Sequence, residues 1–460
     1  MADGLSMKSR CRTSLDSIMR KILTIYLLIS MLSCVSVAEA QEISYDLTKQ
    51  QPVYSDAVGY GYDVVEAPTD KSVTPFYFSV KVPDGNYRVT VRLGSKKRAG
   101  ETTVRAESRR MMVEKCVTRK GQFQEYSFII NKRCVVIPSY KGINGKETTP
   151  STVRIKPGEV GSLTWDEKLT LEFNGASPCV QSISIEPDTT ATTVFLCGNS
   201  TVVDQGKEPW ASWGQMFTRW FVSAPSPTTQ HPTSITQHPS PIAIANYAES
   251  GLTATSFMAQ NRLEKILSVI KEGDYVICEF GHNDEKEKGP GTGAWYHYTV
   301  ALKKFVDMVR AKKGNIIFCT PTQRRMFDAD GRIKNSHGDF PAAMKAVAAR
   351  ENVPLIDINA ETKTLFETMG VEDSKHLLVH YPMGTFPWQV KKFSDNTHFN
   401  PFGAYEVSKL VVMGLKQINS PLVQYLSSDW KDFSPSQPDD WQTFYWPMSP
   451  VYDGKKPDGN

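Results

Sequence analysis

Residues 192–201 read Thr-Thr-Val-Phe-Leu-Cys-Gly-Asn-Ser-Thr. An unbroken apolar run of this length suits a strand covered on both faces, as in a parallel sheet. The small residues that end it suit a tight turn, and a serine on such a turn presents its hydroxyl at the sheet edge. Four more runs of the same kind follow: IAIANYAES (242–250), DYVICEFG (274–281), NIIFCTPT (315–322) and PLIDI (354–358). Between them, GAWYHYTVALKKFVDMVRAKK (293–313) and FPAAMKAVAARE (340–351) carry helical spacing. Strand–helix alternation predicts an α/β fold with a parallel, doubly wound sheet, whose chemistry gathers at the carboxyl ends of the strands.

Upstream of Thr192 the period changes to two. Phe78, Val80 and Val82 alternate with Ser79 and Lys81; Pro83-Asp84-Gly85-Asn86 makes a turn; Tyr87, Val89, Val91 and Leu93 then alternate with Arg88, Thr90 and Arg92. That is a β-hairpin with one polar face. Similar runs stand at 126–131, 169–173 and 180–187, with no long amphipathic helix between them. Residues 42–187 are therefore expected to form an antiparallel β-sandwich ahead of an α/β domain at 192–426. Residues 223–241 hold five prolines and repeat Thr-Gln-His-Pro, which reads as a solvated loop insertion; residues 427–460, rich in Trp, Tyr, Pro and Asp, read as an extended tail laid over the domain.

The start of the chain has another character. Lys8, Arg10, Arg12, Arg20 and Lys21 precede an apolar run of 16 residues, Ile22 to Val37, and then Ala38-Glu39-Ala40. A membrane span needs about 20 apolar residues. Residues 1–40 read as a signal peptide cleaved after Ala40, placing the protein in the periplasm or outside the cell; a lipid anchor at Cys34 is the alternative. No other run is long enough to span a membrane. Lys and Arg total 53 against 49 Asp and Glu, a formal charge of +4 with the signs interspersed, which speaks against a nucleic-acid partner. Aromatic residues make up 10%, a content that suits surfaces stacking on sugars. Cys197, Cys278 and Cys319 sit inside apolar runs and read as buried free thiols, leaving Cys116, Cys134 and Cys179 room for one bridge. No Cys or His spacing suggests a metal site.

Three polar clusters carry candidate chemistry. Gly198-Asn199-Ser200-Thr201 ends the first α/β strand, and N–H groups of a following helix could hold an oxyanion there. Phe280-Gly281-His282-Asn283-Asp284 ends the third, where an Asn amide can donate to a developing oxyanion. Asp395-Asn396-Thr397-His398-Phe399-Asn400-Pro401 precedes a helix in which Asn400 suits the N-cap and Pro401 the first position. On the expected loop, a spacing of three lets Asp395 reach the Nδ1 of His398 and leaves Nε2 free as a base.

Together the clusters resemble the GDSL, or SGNH, hydrolase family, which adds a glycine after the second strand, here Gly251. The resemblance implies a flavodoxin-like three-layer parallel sheet and neither metal nor organic cofactor. It makes Ser200 the nucleophile, His398 the base and Asp395 its orienter, with Ser200, Gly251 and Asn283 forming the oxyanion hole. One departure stands out: the family's first block usually reads Gly-Asp-Ser, and this chain has Asn199. Residues 198–217, 280–286, 320–331, 337–340, 353–359 and 395–404 look like rhamnogalacturonan acetylesterases, some of which carry a galactose-binding-like β-sandwich. That narrower resemblance implies an acetylated pectic polysaccharide or oligosaccharide as partner. Arg324 and Arg325, after the fourth strand, are then candidates to clamp a galacturonate carboxylate. Trp210 and Trp213 are candidates for sugar stacking or for packing. An acetylesterase of another polysaccharide such as xylan, and a non-catalytic carbohydrate-binding protein, are the competing readings.

Overall fold

The computed structural model describes residues 42–69, 73–222, 226–227, 242–451 and 456–458. The segment read as a signal peptide, and all of the 223–241 insertion except 226–227, lie outside the described residues. Eleven strands precede Thr192: β1 (Ile43–Asp46), β2 (Tyr60–Asp63), β3 (Phe76–Lys81), β4 (Gly85–Gly94), β5 (Gly100–Ala106), β6 (Arg110–Thr118), β7 (Phe123–Lys132), β8 (Val136–Ile137), β9 (Ser151–Thr152), β10 (Lys168–Ser177) and β11 (Val180–Pro187). One sheet has the order β2-β3-β10-β5-β6; facing it run β1-β11-β4-β7, all antiparallel. Alternate residues of the hairpin first seen in the sequence, Phe78, Val80, Val89, Val91 and Leu93, fill the core between the two sheets.

The α/β half begins with β12 (Thr192–Gly198), followed by the short β13 (Ser226–Pro227), β14 (Ile242–Asn246), β15 (Tyr275–Glu279), β16 (Asn315–Cys319), β17 (Leu355–Ile356), β18 (Leu378–Tyr381) and β19 (Phe393–Phe399). Its parallel strands have the order β14-β12-β15-β16-β17. In terms of the five apolar runs this is 2-1-3-4-5, the flavodoxin-like order. Side chains of β12 alternate between two cores. Val194 and Leu196 face one, with α1 (Trp213–Phe217), α6 (Ile358–Asp373) and α7 (Pro401–Gln417). Phe195 and Cys197 face the other, with α2 (Ala254–Ala259), α3 (Arg262–Val269), α4 (Thr299–Ala311) and α5 (Phe340–Glu351). Three layers result, and the unbroken apolar run is explained by burial on both faces.

The change of period at Thr192 is not a break in the sheet. β7 pairs in parallel with β14 through Ala243↔Ile129 and Ile244↔Ile130, so one sheet runs from β1 to β17 across both halves. Each partner would otherwise present an open edge, and the pairing removes both. The junction is also ionic. Arg110 pairs with Asp204 at 2.6 Å, Arg109 with Glu208 at 2.7 Å and Arg105 with Glu172 at 2.8 Å, all fully or almost fully buried. Arg105 also lies 3.8 Å from the ring of Trp446 in the tail, and the Trp446 indole donates to Glu208 at 2.9 Å.

The tail explains a second difference. The pattern Val407, Leu410, Val411, Gly414 and Ile418 predicts one buried face for the last helix, yet α7 is buried nearly all round. Phe444 packs on Phe402 and Tyr405, and Asp439 pairs with Lys409 at 2.7 Å, covering the outer face. All six described cysteines are buried free thiols, so Cys116, Cys134 and Cys179 form no bridge. Among the described residues no helix is long and apolar enough to cross a membrane.

Candidate active site

β12 delivers Ser200 through a tight turn. A side chain at Gly198 would bring its Cβ to 2.5 Å from Val202 Cγ2 and 2.9 Å from the Glu279 carbonyl, so only glycine fits. The N–H groups of Val202 and Val203 both donate to the Asn199 carbonyl at 3.0 Å, and Asn199 Oδ1 accepts from the Thr201 N–H at 3.1 Å and its hydroxyl at 3.0 Å. This is a single helical turn, not the helix expected after Ser200; the next helix is α1, at Trp213. Gly206 and Pro209 oppose helix here. The carboxylates of Asp204 and Glu208 are held by Arg110 and Arg109.

Asp395 and His398 come from β19, paired antiparallel with β18, rather than from a free loop. Asp395 Oδ1 accepts the N–H groups of Thr397 at 2.9 Å and His398 at 3.0 Å, while Oδ2 lies 2.8 Å from His398 Nδ1. His398 Nε2 lies 3.0 Å from Ser200 Oγ. All three side chains are buried. Burial opposes ionisation of Asp395, but the hydrogen bond and charge of His398, with the two N–H donors, outweigh it and hold the carboxyl well below the ordinary range. As expected, Asn400 caps α7 by accepting from Gly403 N–H at 2.9 Å, with Pro401 in the first turn.

Gly251 follows β14 with φ +75°, a left-handed conformation that a side chain disfavours. Asn283 donates one amide hydrogen to the Leu252 carbonyl at 3.1 Å, which ties its side chain to the Gly251 loop and leaves a second hydrogen to donate. Asp284, a member of the same sequence cluster to which no role was given, joins the same two loops. Asp284 accepts from Ala254 N–H at 2.8 Å and from Gly281 N–H at 2.9 Å; burial outweighs these bonds and pushes its carboxyl up to about 7. A second carboxylate that the sequence reading gave no role lies beneath the Ser200 turn. Glu279 accepts from Thr201 Oγ at 2.9 Å, Trp213 Nε1 at 2.6 Å and Thr322 N–H at 3.2 Å, and burial again lifts it to about 7. Its signal in the sequence was a lone acid at the end of the apolar run YVICE.

The paired-arginine clamp needs correction. Arg325 is buried and points inward, bonding Ser374 Oγ at 3.0 Å, Asn396 Oδ1 at 3.2 Å and the Val371 carbonyl. Arg324 lies on the rim but its charge is met by Glu285 at 2.5 Å, and it donates to the His282 carbonyl at 3.2 Å. Neither guanidinium is a free fork for a carboxylate. His337 joins the same cluster, 2.8 Å from Glu285, with the buried His282 ring edge-on to it at 4.6 Å. Trp210 and Trp213 are both buried and take the packing role. Among the described residues no group of three or more His, Cys, Asp or Glu side chains is placed to hold a metal ion.

Residues 196–404 match the GDSL-like Lipase/Acylhydrolase family, a span that runs from β12 through the Asp395–His398 segment. Rhamnogalacturonan acetylesterase RhgT of Bacillus subtilis (strain 168) is 38% identical over 237 residues, covering 51% of this chain and 94% of that protein. Probable rhamnogalacturonan acetylesterase YesY of the same organism is 30% identical over 237 residues, covering 51% of this chain and 97% of that protein. Uncharacterized esterase YxiM, also of Bacillus subtilis, is 26% identical over 344 residues, 74% of each chain. On this family match, and on relatives covered almost end to end, the chain belongs to the GDSL-like lipase/acylhydrolase family and is an esterase of the SGNH type.

Proposed function

We propose that the chain removes acetyl groups from pectic rhamnogalacturonan through a Ser-His-Asp mechanism and an acetyl-enzyme. The observation that carries this reading is the hydrogen-bonded series Ser200 Oγ, His398 and Asp395, with contacts of 3.0 and 2.8 Å. His398 Nε2 takes the Ser200 proton as Oγ attacks the acetyl carbonyl. Asp395 keeps the imidazole in the tautomer that can do so and stabilises the imidazolium. The N–H groups of Ser200 and Gly251 and the Asn283 amide hold the oxyanion, each contributing about 3 kcal/mol if aimed at its developing position. His398 then protonates the sugar oxygen, which leaves, and activates the water that releases acetate.

Two relatives named as rhamnogalacturonan acetylesterases support the substrate half of the reading. The basic and apolar start of the chain fits export to where such polymers occur. The test compares acetate release from acetylated rhamnogalacturonan and acetylated xylan, with Ser200→Ala as the blank. Faster release from rhamnogalacturonan is expected. Faster release from xylan would move the substrate, and turnover by Ser200→Ala would remove the mechanism.

A further inference from the structure

The family match starts at residue 196, yet a cation from the amino-terminal half stands at the oxyanion loop. Lys156 follows β9 in a segment pinned from several sides. Arg154 N–H donates to the Gln260 carbonyl at 2.9 Å, and Asn261 donates to the Thr152 carbonyl at 2.9 Å. Lys156 N–H donates to Glu159 at 2.8 Å, and Glu159 is itself held by Arg262 at 2.5 Å and by the Trp165 indole at 3.0 Å. So positioned, the Lys156 ammonium donates to the Ser250 carbonyl, and a Cβ on Gly251 would lie only 3.4 Å from it.

Two carboxyls face that ammonium. Glu249 is 3.7 Å away; burial and the neighbouring Glu159 push its carboxyl up, which weakens its claim on the cation. The nearer one, at 3.0 Å, is Asp458, 302 residues along the chain and near its end. The Asp458 side chain also stands against Gly251, its Cβ 3.2 Å from where a Gly251 Cβ would be. Lys456, two residues earlier, lies 3.4 Å from Asp395 Oδ2. The Asp458 carboxylate therefore sits beside the proposed oxyanion donor, on a lysine contributed by the amino-terminal half.

We infer that Lys156 is a seat for a carboxylate of the sugar substrate, a seat that Asp458 occupies in the free protein. The inference rests on the proposed sugar esterase reading and specifies the substrate class at the rim: a hexuronate, whose carboxylate and esterified hydroxyl lie on one ring or on adjoining rings. It replaces the Arg324–Arg325 clamp with a residue outside the hydrolase half. The ammonium keeps its Ser250 bond while exchanging one carboxylate for another, so substrate entry needs no uncompensated buried charge.

The test is competition, which does not require the protein to deacetylate any polymer. Full-length protein hydrolyses 4-nitrophenyl acetate in the presence of unacetylated oligogalacturonate or, as a neutral reference, xylo-oligosaccharide. Lys156→Gln is expected to raise the Ki for oligogalacturonate by about tenfold relative to that for xylo-oligosaccharide, and Lys156→Arg to restore most of it. Asp458→Asn is expected to lower the Ki for oligogalacturonate by about threefold. No competition in the native protein, an unchanged Ki in Lys156→Gln, or an equal rise for both sugars overturns the seat; an unchanged Ki in Asp458→Asn overturns its occupancy. A Ki shift without acetate release from rhamnogalacturonan would keep the seat and dismiss the pectic polymer. Release without a Ki shift would do the reverse.

Discussion

The two halves of the continuous sheet bury different chemistry. On the α/β side, β12, β14, β15 and β16 are almost wholly apolar until they reach the proposed catalytic end, where Asn199, Ser200, Glu279 and Asn283 cluster. On the sandwich side, at the junction, Arg105, Arg109, Arg110 and Glu172 lie as deep as any leucine. At the first place Ser200 and Asn283 face the proposed reacting centre; at the second Arg109 and Arg110 are matched to Glu208 and Asp204 across a seam. Burial of charge is thus no guide to function by itself. What separates the cases is whether a partner closes each charge within the chain.

Breaking the catalytic end should cost rate and leave the fold. His398→Ala removes the base that meets Ser200 at 3.0 Å, and kcat for acetate release should fall by about 10⁶. Asp395→Asn keeps the shape but favours the wrong tautomer, and should cost about 10⁴. Thermal unfolding of His398→Ala should stay close to that of the native protein. A large loss of stability with rate preserved would erase the distinction between the two ends.

Breaking the seam should do the opposite. Asp204→Asn leaves Arg110 buried against a neutral amide where it had a carboxylate at 2.6 Å. A buried pair broken on one side costs about 3–5 kcal/mol, read as a shift of the denaturant midpoint, while the folded fraction keeps its turnover. An unchanged midpoint would mean that the seam tolerates an unpaired arginine.

The same contrast sets what was legible in the sequence. The parallel strands showed themselves because burial on both faces demands unbroken apolar runs, and α5 was read to the residue. Ser200, Gly251, Asn283, Asp395 and His398 stand out in the sequence as candidates because the order of their polar clusters resembles a known family, and the structure brings Ser200, His398 and Asp395 within hydrogen-bond reach of one another. β5 and β6 were not found. Their sequences, GETTVRA and RMMVEKCVT, carry arginines at positions that the structure buries, so hydropathy could not mark them as strands. Nor could a one-dimensional pattern reveal that β7 pairs with β14, that Arg325 turns inward, or that Lys156 meets Asp458, since each depends on contacts between distant segments.

Glu279 tests the boundary between the two kinds of buried charge, for it lies beneath the Ser200 turn yet its bonds are all internal. Burial lifts its carboxyl to about 7, against about 4.3 in an unfolded chain. Between those values the folded protein holds a proton that the unfolded chain has lost. Its contribution to stability is therefore full below about 4.3, falls as pH rises to 7 and then levels, a loss on the order of 4 kcal/mol. Glu279→Gln should flatten that part of the stability profile, between about pH 4 and 7. An unaltered slope would show that the carboxylate is ionised and satisfied by Trp213, Thr201 and Thr322.

The smallest effect is expected where the sequence departs from its family, at Asn199. Its Oδ1 holds the Thr201 N–H and shares the single Thr201 hydroxyl proton with Glu279, at 3.0 and 2.9 Å, while its buried Nδ2 meets no partner. The amide thus performs only the accepting role, which a carboxylate can perform equally well. Asn199→Asp removes the unmatched donor but sets a second acid across one hydroxyl from Glu279. Like charges at that separation cannot both ionise cheaply, so Glu279 should hold its proton to a higher pH, and the fall in stability should move up with it. Turnover should change by less than about threefold, because neither His398 nor the oxyanion donors touch the altered atoms. A drop of a hundredfold would instead make the missing charge at 199 a requirement of this chain's chemistry, and would join the turn to the catalytic end rather than to its support.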